Sequence, residues 1–120
     1  MRAMNPAFFG SLQNPLAVSL SDTVAYGFIL IEHPPAPSTA FTNNIVVSVY
    51  GGYPPYTLNW TRVSGSNEPV ISLITGYDVV WSLAKGTNTI INSVWHCTVT
   101  DSVANMVASD NVSVELEFEA

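Results

Sequence analysis

Two segments, residues 51–60 and 95–101, most constrain what this chain can fold into. Each contains a run in which apolar and polar side chains alternate, and the first run follows a Gly-Gly turn and two prolines. The apolar members are Tyr56, Leu58 and Trp60 in one run and Trp95, Cys97 and Val99 in the other. Successive side chains of a strand point to opposite faces, so each run has one face suited to a core. The two runs predict a pair of strands that share one interior.

The same period of two recurs along most of the chain. Alternating or β-branched runs occupy residues 16–20, 26–31, 45–49, 70–74, 77–83 and 112–118. Proline-rich residues 33–38 and polar residues 64–69 interrupt them, because proline cannot donate to a ladder and Gly, Asn and Ser favour turns. No stretch has a helical period. Seven to eight short strands bounded by turn signals predict an all-β antiparallel sandwich.

The chain has 120 residues, the length of one domain with a single core. We expect a β-sandwich over residues 16–120, preceded by an N-terminal arm over residues 1–15. The arm contains two Asn-Pro breaker pairs. Between them lie three apolar side chains, Phe8, Phe9 and Leu12. An isolated arm would not leave these in water, so we expect it to dock on its own domain or on a neighbour.

Charge is scarce in this sequence. Three Lys and Arg stand against nine Asp and Glu, and charged residues make up 10% of the chain, whereas ordinary domains contain roughly 25%. So few cations argue against nucleic-acid binding and against a polybasic membrane tether. The longest fully apolar run, residues 28–31, is too short to insert in a membrane. No signal-peptide pattern is present, so we expect synthesis in the cytoplasm, with any release by lysis. Charge-poor surfaces associate, which favours a component of an assembly.

The strand pattern resembles a small immunoglobulin-like, PKD-like domain of tailed-bacteriophage and prophage virion proteins. The resemblance extends from about residue 16 to residue 118. It rests on the segments 46–49, 51–60, 63–65, 95–102 and 112–114. It implies an immunoglobulin-like antiparallel β-sandwich, and it is more specific for the fold than for the phage setting, because PKD-like domains also occur as spacers in bacterial surface proteins and secreted enzymes.

Two positions depart from that family pattern. Glycine is common in the turn after the Thr-Asp pair, whereas residues 103–106 here offer Asn105 as the residue best able to adopt a left-handed conformation. The cysteine that pairs with strand F in antibody domains is absent, since Val47 and Val49 stand on the corresponding strand. We therefore expect Cys97, the one cysteine of the chain, to be a buried free thiol.

Candidate chemistry is sparse. His96 and Cys97 are neighbours on a strand and point to opposite faces, so they cannot form a dyad there. Asp101, Asn105 and Asp110 bracket one turn, and either calcium binding or capping of the turn by Asx side chains accounts for them. The sequence lacks the D-x-D-x-D-G pattern of a calcium loop, which favours capping. We expect no catalytic residue, no metal and no cofactor.

The aromatic residues have two interpretations, a sugar-binding platform or a core. Trp60, Trp81 and Trp95 all fall on the apolar parity of their strands, which favours the core. Tyr53 differs because it lies in a turn. In this topology the B–C, D–E and F–G loops meet at one end, where Tyr53, Val103 and Met106 would form an apolar tip. The alternative, that these three side chains fold back onto the core, is equally open.

The candidate partner contacts are therefore Phe8, Phe9 and Leu12 of the arm together with Tyr53, Val103 and Met106 of the loops. The outer side of the last strand carries Glu115, Glu117 and Glu119. These charges either protect an exposed strand edge from unwanted pairing or simply form a solvated face, and we expect the latter.

The resemblance implies a non-enzymatic virion structural protein that decorates the capsid or forms part of the tail. Its expected partners are the major capsid or tail protein and further copies of itself in a symmetric oligomer, within a virion made in the host bacterial cytoplasm. The alternative is an immunoglobulin-like binding module that recognises carbohydrate or a host-surface protein.

Overall fold

The computed structural model describes residues 14–120, and this part of the chain consists of β-strands joined by turns and loops. The N-terminal candidates Phe8, Phe9 and Leu12 lie outside the described residues. The strands are β1 (Ala17–Leu20), β2 (Val24–Leu30), β3 (Ser38–Phe41), β4 (Ile45–Tyr50), β5 (Thr57–Gly65), β6 (Val70–Ile71), β7 (Asp78–Val79), β8 (Trp81–Lys85), β9 (Thr89–Thr100), β10 (Met106–Ala108) and β11 (Val112–Glu119).

These segments follow the strand paths of an immunoglobulin-like sandwich. In the usual letters they are A (β1), A′ (β2), B (β3 and β4), C (β5), D (β6), E (β7 and β8), F (β9) and G (β10 and β11). Two three-stranded sheets, β1-β4-β7 and β3-β8-β6, follow one another along strands B and E and together make up one layer of the order A-B-E-D. The other layer is a single five-stranded sheet of the order C-F-G-A′. Strand A′ runs parallel to G, and the remaining pairings are antiparallel. The strand order confirms the predicted immunoglobulin-like β-sandwich.

Several predicted strands differ in extent from the observed ones. The run 70–74 pairs only over Val70–Ile71, and the run 77–83 is divided into β7 and β8. Strand β5 continues to Gly65 through a bulge between Arg62 and Ser64, although its last residues were expected to be loop. Strands β3 and β10 had no predicted counterpart. In each case the neighbouring strand decides pairing, because it supplies the backbone partners that local propensity does not.

The core is organised around three tryptophans. The ring centroids of Trp60 and Trp81 are 5.4 Å apart in an edge-to-face arrangement, and those of Trp81 and Trp95 are 5.7 Å apart. Trp60 Nε1 donates to the Gly76 carbonyl at 3.0 Å, and Trp95 Nε1 donates to Ser93 Oγ at 2.9 Å. Trp81 is fully buried, and its Nε1 has no hydrogen-bond partner in the described structure. The apolar packing of its ring therefore outweighs the free-energy cost of burying an N–H group that has no hydrogen-bond partner.

Cys97 lies in the same core as the tryptophans and is fully buried. Burial raises the pKa of its thiol to about 11, so the side chain stays protonated and acts as a small apolar group. His96 is half-buried on the opposite face of the strand, as the period of two predicts. The pair therefore cannot act as a nucleophile and its base.

Strand β2 turns two small residues and the half-buried Ile29 inward and four large residues outward. Ala25 and Gly27 are buried, whereas Val24, Tyr26, Phe28 and Leu30 are exposed. The reason is the short distance between the two sheets at this point. A Cβ atom at Gly27 would lie 2.4 Å from the backbone oxygen of Phe41 in strand B and 2.9 Å from a methyl group of Leu116 in strand G. Only glycine fits between these strands.

We predict that Gly27→Ala destabilises the domain by about 3 kcal/mol, the upper part of the range for overpacked cores, because the added methyl group meets rigid backbone. At an unhindered position the same substitution would stabilise by about 0.4–1 kcal/mol through the unfolded chain, so the sign of the change is diagnostic. Chemical denaturation measures it. Ser113→Ala, at an exposed position of strand G, is the control and should change stability by less than about 0.5 kcal/mol. A Gly27→Ala protein as stable as the parent would contradict the close approach.

Candidate functional site

The B–C and F–G loops are joined around the carboxylate of Asp101. Its Oδ1 accepts hydrogen bonds from the backbone N–H groups of Val103 at 3.1 Å and Asn105 at 2.8 Å. Its Oδ2 accepts from the Tyr53 N–H at 3.1 Å and from Asn105 Nδ2 at 3.0 Å. The Ser102 N–H also donates to the Tyr53 carbonyl at 2.8 Å. One side chain thus fixes both loops at this end of the sandwich.

The environment of Asp101 favours its charged form. Burial, which leaves the residue 5% exposed, would by itself raise the pKa of the carboxyl. The hydrogen bonds from Asn105, Tyr53 and Val103 outweigh burial, so the pKa lies below the ordinary aspartate value. All four contacts are donated by the protein itself. The interpretation of Asp101 as a turn-capping side chain is therefore confirmed, and its oxygens are already used.

The left-handed residue of the F–G turn is Ala104, with φ of 71°, and the expectation that Asn105 would adopt this conformation is wrong. Asn105 instead uses both its backbone and its side-chain amide to bind Asp101. That geometry holds Asn105 in place and leaves the preceding residue to make the turn. A left-handed alanine is strained by roughly 1–2 kcal/mol, and the Asp101 hydrogen bonds offset this cost.

The three predicted loop contacts are solvent-accessible. Tyr53 is 39% exposed, Val103 is 59% exposed and Met106 is 65% exposed. The structure therefore places these side chains on the surface and does not fold them back into the core. The D–E loop is bound to strand C and not to the Asp101 carboxylate. The Ile74 and Gly76 carbonyls accept hydrogen bonds from the backbone and ring N–H groups of Trp60.

The outer face of the C-F-G-A′ sheet carries an apolar row that was not predicted from the sequence. It consists of Val24, Tyr26, Phe28 and Leu30 on β2. The sequence feature that could have revealed it is the presence of small residues, Ala25 and Gly27, at alternate positions. Small residues at such positions indicate the side of the strand that packs closely against the other sheet, which leaves the large residues on the outer side. We name these four residues the A′ row.

Next to the A′ row are the three glutamates of β11, in register with it. Glu115 pairs with Tyr26, Glu117 with Phe28 and Glu119 with Leu30. Strand β11 lies between β2 and β9 and is paired on both sides. The idea that these charges protect an exposed edge is therefore wrong, because the edge strand is β2. The backbone of β2 is partly covered by Asn43, whose Oδ1 accepts from the Tyr26 N–H and whose Nδ2 donates to the Val24 carbonyl.

The outer face of the A-B-E-D sheet is apolar and nearly uncharged. Phe41, Val46 and Tyr50 of strand B and Val70 of strand D are all exposed there. Their neighbours on this face are mainly Ser, Thr and Ala. The strand residues of A, B, D and E include two charged side chains, Asp78 and Lys85. Asp78 accepts a hydrogen bond from Asn44 Nδ2 at 2.7 Å, and Lys85 forms an ion pair with Glu68.

The two cations of the described chain are both engaged near the C–D end of the molecule. Lys85 forms an ion pair with Glu68, and Arg62 donates to the Gly65 carbonyl at 2.8 Å. Residues 14–120 contain no group of three His, Cys, Asp or Glu side chains placed to hold a metal ion. Nor does this part of the chain contain a helix with the length and apolarity needed to cross a bilayer.

Comparison with known proteins assigns this chain to no family. No family model and no curated protein matches the chain. Among solved structures 35 chains are similar, and one of these is the M1 domain from titin, with 7% identity and a TM-score of 0.28 over 88% of this chain and 93% of that chain. So low a similarity carries no argument on function. The immunoglobulin-like assignment rests on the strand order and pairing described above.

We predict that Asp101→Asn destabilises the domain, because its side-chain NH₂ would face the donors that now bind Oδ2. The pH dependence follows from the lowered pKa. The contribution of Asp101 to stability is fully present above the unfolded-state pKa, near 3.8, and is lost as the pH falls through the lower folded-state value.

Denaturation midpoints of the parent and the variant should therefore differ at pH 7 and converge below pH 3.8. Asp110→Asn, at an exposed residue of the same hairpin, is the matched control and should follow the parent throughout. A constant difference between the Asp101 variant and the parent at all pH values would contradict the assignment.

Proposed function

We propose that this protein is a non-enzymatic structural component of a tailed-phage virion, which decorates the capsid or forms part of the tail through protein–protein contacts. The phage setting is drawn from the sequence resemblance. The observation that carries the contact role is the exposure of large apolar side chains on both outer faces of a domain with three Lys and Arg. Scattered exposed apolar residues are ordinary, but rows of them on neighbouring strands mark interaction surfaces.

The A-B-E-D face is the surface best suited to contact between identical copies. A symmetric interface places the same residues opposite each other, so a face with many like charges would repel its copy. Phe41, Val46 and Tyr50 offer aromatic and aliphatic area without such charges. Aromatic residues are enriched, and charges depleted, at the centres of protein interfaces. These features support a homo-oligomer assembled through this sheet, with the partner protein bound elsewhere.

The alternative is a binding module for carbohydrate or for a host-surface protein. The exposed Tyr53 on a loop fixed by Asp101 favours it, because a rigid loop positions a ligand contact at low entropic cost. The burial of Trp60, Trp81 and Trp95 weighs against a sugar platform, since these are the largest aromatic surfaces in the chain. A glycan array separates the two: specific hits that Tyr53→Ser abolishes would favour the module.

The test of the virion proposal is the location of the protein on particles produced from the genome that encodes it. Purified particles, labelled with an antibody against the domain, should show gold at regular capsid or tail positions in electron micrographs. Particles lacking the gene should show none. Absence of the protein from purified particles that otherwise contain their full set of structural proteins would overturn the proposal.

We predict that the arm contributes to incorporation but not to folding. Truncation should stop at residue 13, because the Asn14 carbonyl accepts the Gly52 N–H at 2.9 Å and helps to hold the B–C loop. The shortened protein should melt at the temperature of the parent but co-purify poorly with particles, because Phe8, Phe9 and Leu12 are lost. Phe8→Ser combined with Phe9→Ser should reproduce the defect, and Asn5→Ser should not. Normal incorporation of the truncated chain would contradict the role of the arm.

A further inference from the structure

The A′ row and the β11 glutamates form one continuous surface on the C-F-G-A′ sheet. Adjacent strands lie about 4.8 Å apart, and successive outward residues of one strand lie roughly 7 Å apart. The pairing of Phe28 with Glu117, and of Glu117 with Ile90 of strand F, therefore places apolar, acidic and apolar side chains side by side. Ile90 is exposed, as is Phe28. The acidic row thus has the apolar A′ row on one side, and on the other side strand F places Ile90 beside Glu117 and Asn92 beside Glu115.

The acidic row produces a negative field that no cation of the described chain neutralises. The ion pair of the described structure is that of Lys85 with Glu68, and it does not involve the β11 glutamates. Tyr26 Oη donates to Glu117 Oε1 at 2.7 Å. That hydrogen bond, together with the charges of Glu117, Glu115 and Glu119, raises the pKa of the Tyr26 phenol. The phenol thus responds to all three carboxylates.

The end of this surface that is formed by residues 88–90 and 117–119 contains an open recess of about 400 Å³. Its lining residues are Asn88, Thr89, Ile90, Glu117, Phe118 and Glu119. Ile90 offers an apolar wall, and Glu117 and Glu119 supply carboxylates at the rim. A lysine or arginine side chain combines an apolar stem with a cationic end, which is the shape and charge that such a recess complements.

We infer that this surface binds an extended segment of a different protein in which lysine or arginine alternates with apolar residues. The apolar side chains would lie on the A′ row, the cations would pair with Glu115 and Glu117, and one cation would enter the recess beside Glu119. The inference deepens the proposed contact role and rests on it. A second copy of this chain is a poor occupant, because symmetric docking would place acidic rows against each other.

The test uses a defined probe: a fluorescently labelled peptide of seven residues in which lysine alternates with leucine, and the same peptide with glutamate at each lysine. Fluorescence anisotropy with the full chain at low salt should show saturable binding of the lysine peptide and none of the glutamate peptide. Raising the salt should weaken binding, because the pairs lie at the surface. Equal binding of both peptides would overturn the inference.

Two variants with equal change of net charge locate the site. Glu117→Gln with Glu119→Gln should weaken binding of the lysine peptide about fivefold, from the modest energies of exposed ion pairs. Glu68→Gln with Asp110→Asn removes two negative charges away from this surface and should leave affinity within about twofold. Equal loss in both pairs would reveal non-specific attraction to an acidic protein and would overturn the site.

The apolar half of the surface needs its own variant. Phe28→Thr keeps a strand-forming residue and removes the aromatic surface, so it should weaken the lysine peptide at high and low salt alike. Circular dichroism and a thermal melt establish that each variant is folded. Sedimentation compares the oligomeric state of the parent with that of Phe28→Thr: a change would mean that a second copy occupies this face and would overturn the inference. Particle labelling is independent of all these measurements, so failure here leaves the virion proposal to its own test.

Discussion

Strand F is the element on which the rest of the sandwich depends. Its twelve residues, Thr89–Thr100, pair with strand C on one side and with both segments of strand G on the other. The inward side chains from the fifth residue onward, Ser93, Trp95, Cys97 and Val99, are all buried. Backbone pairing and apolar burial therefore coincide on one strand. This agreement fixes the register, because a slip of one residue would turn every buried side chain to the solvent.

The two outer faces differ in charge although they belong to one small domain. The A-B-E-D face carries aromatic and aliphatic groups among small polar ones, whereas the C-F-G-A′ face joins the A′ row to three glutamates. A neutral face can meet its own copy, while an acidic face meets a cationic partner more favourably. The same polypeptide thus offers one surface compatible with self-association and another that favours a different protein. The role proposed above, that of a component of a symmetric assembly that also binds a second protein, needs both kinds of surface.

The predictions from sequence succeeded where strand parity alone was sufficient. The alternation in residues 112–118 identified Val112, Val114, Leu116 and Phe118 as core, and all four are buried. The same reasoning separated Cys97 from His96. Prediction failed where particular side-chain hydrogen bonds or the pairing of one strand with another decided the outcome. Asn105 was expected to make the left-handed turn, but its hydrogen bonds to Asp101 assign that conformation to Ala104. The glutamates of β11 were weighed as an edge feature because sequence does not reveal which strand lies at the edge.

The sequence by itself determined the all-β class and most inward side chains, because the period of two is a property of a single strand. It also determined the scarcity of cations. The tertiary structure alone decided which strand lies beside which. It placed the A′ row beside the acidic row, brought Gly27 against the backbone of Phe41, and gathered two loops around Asp101. These are contacts between residues distant in the chain, and no local preference specifies them; they follow from the closing of two sheets over one core.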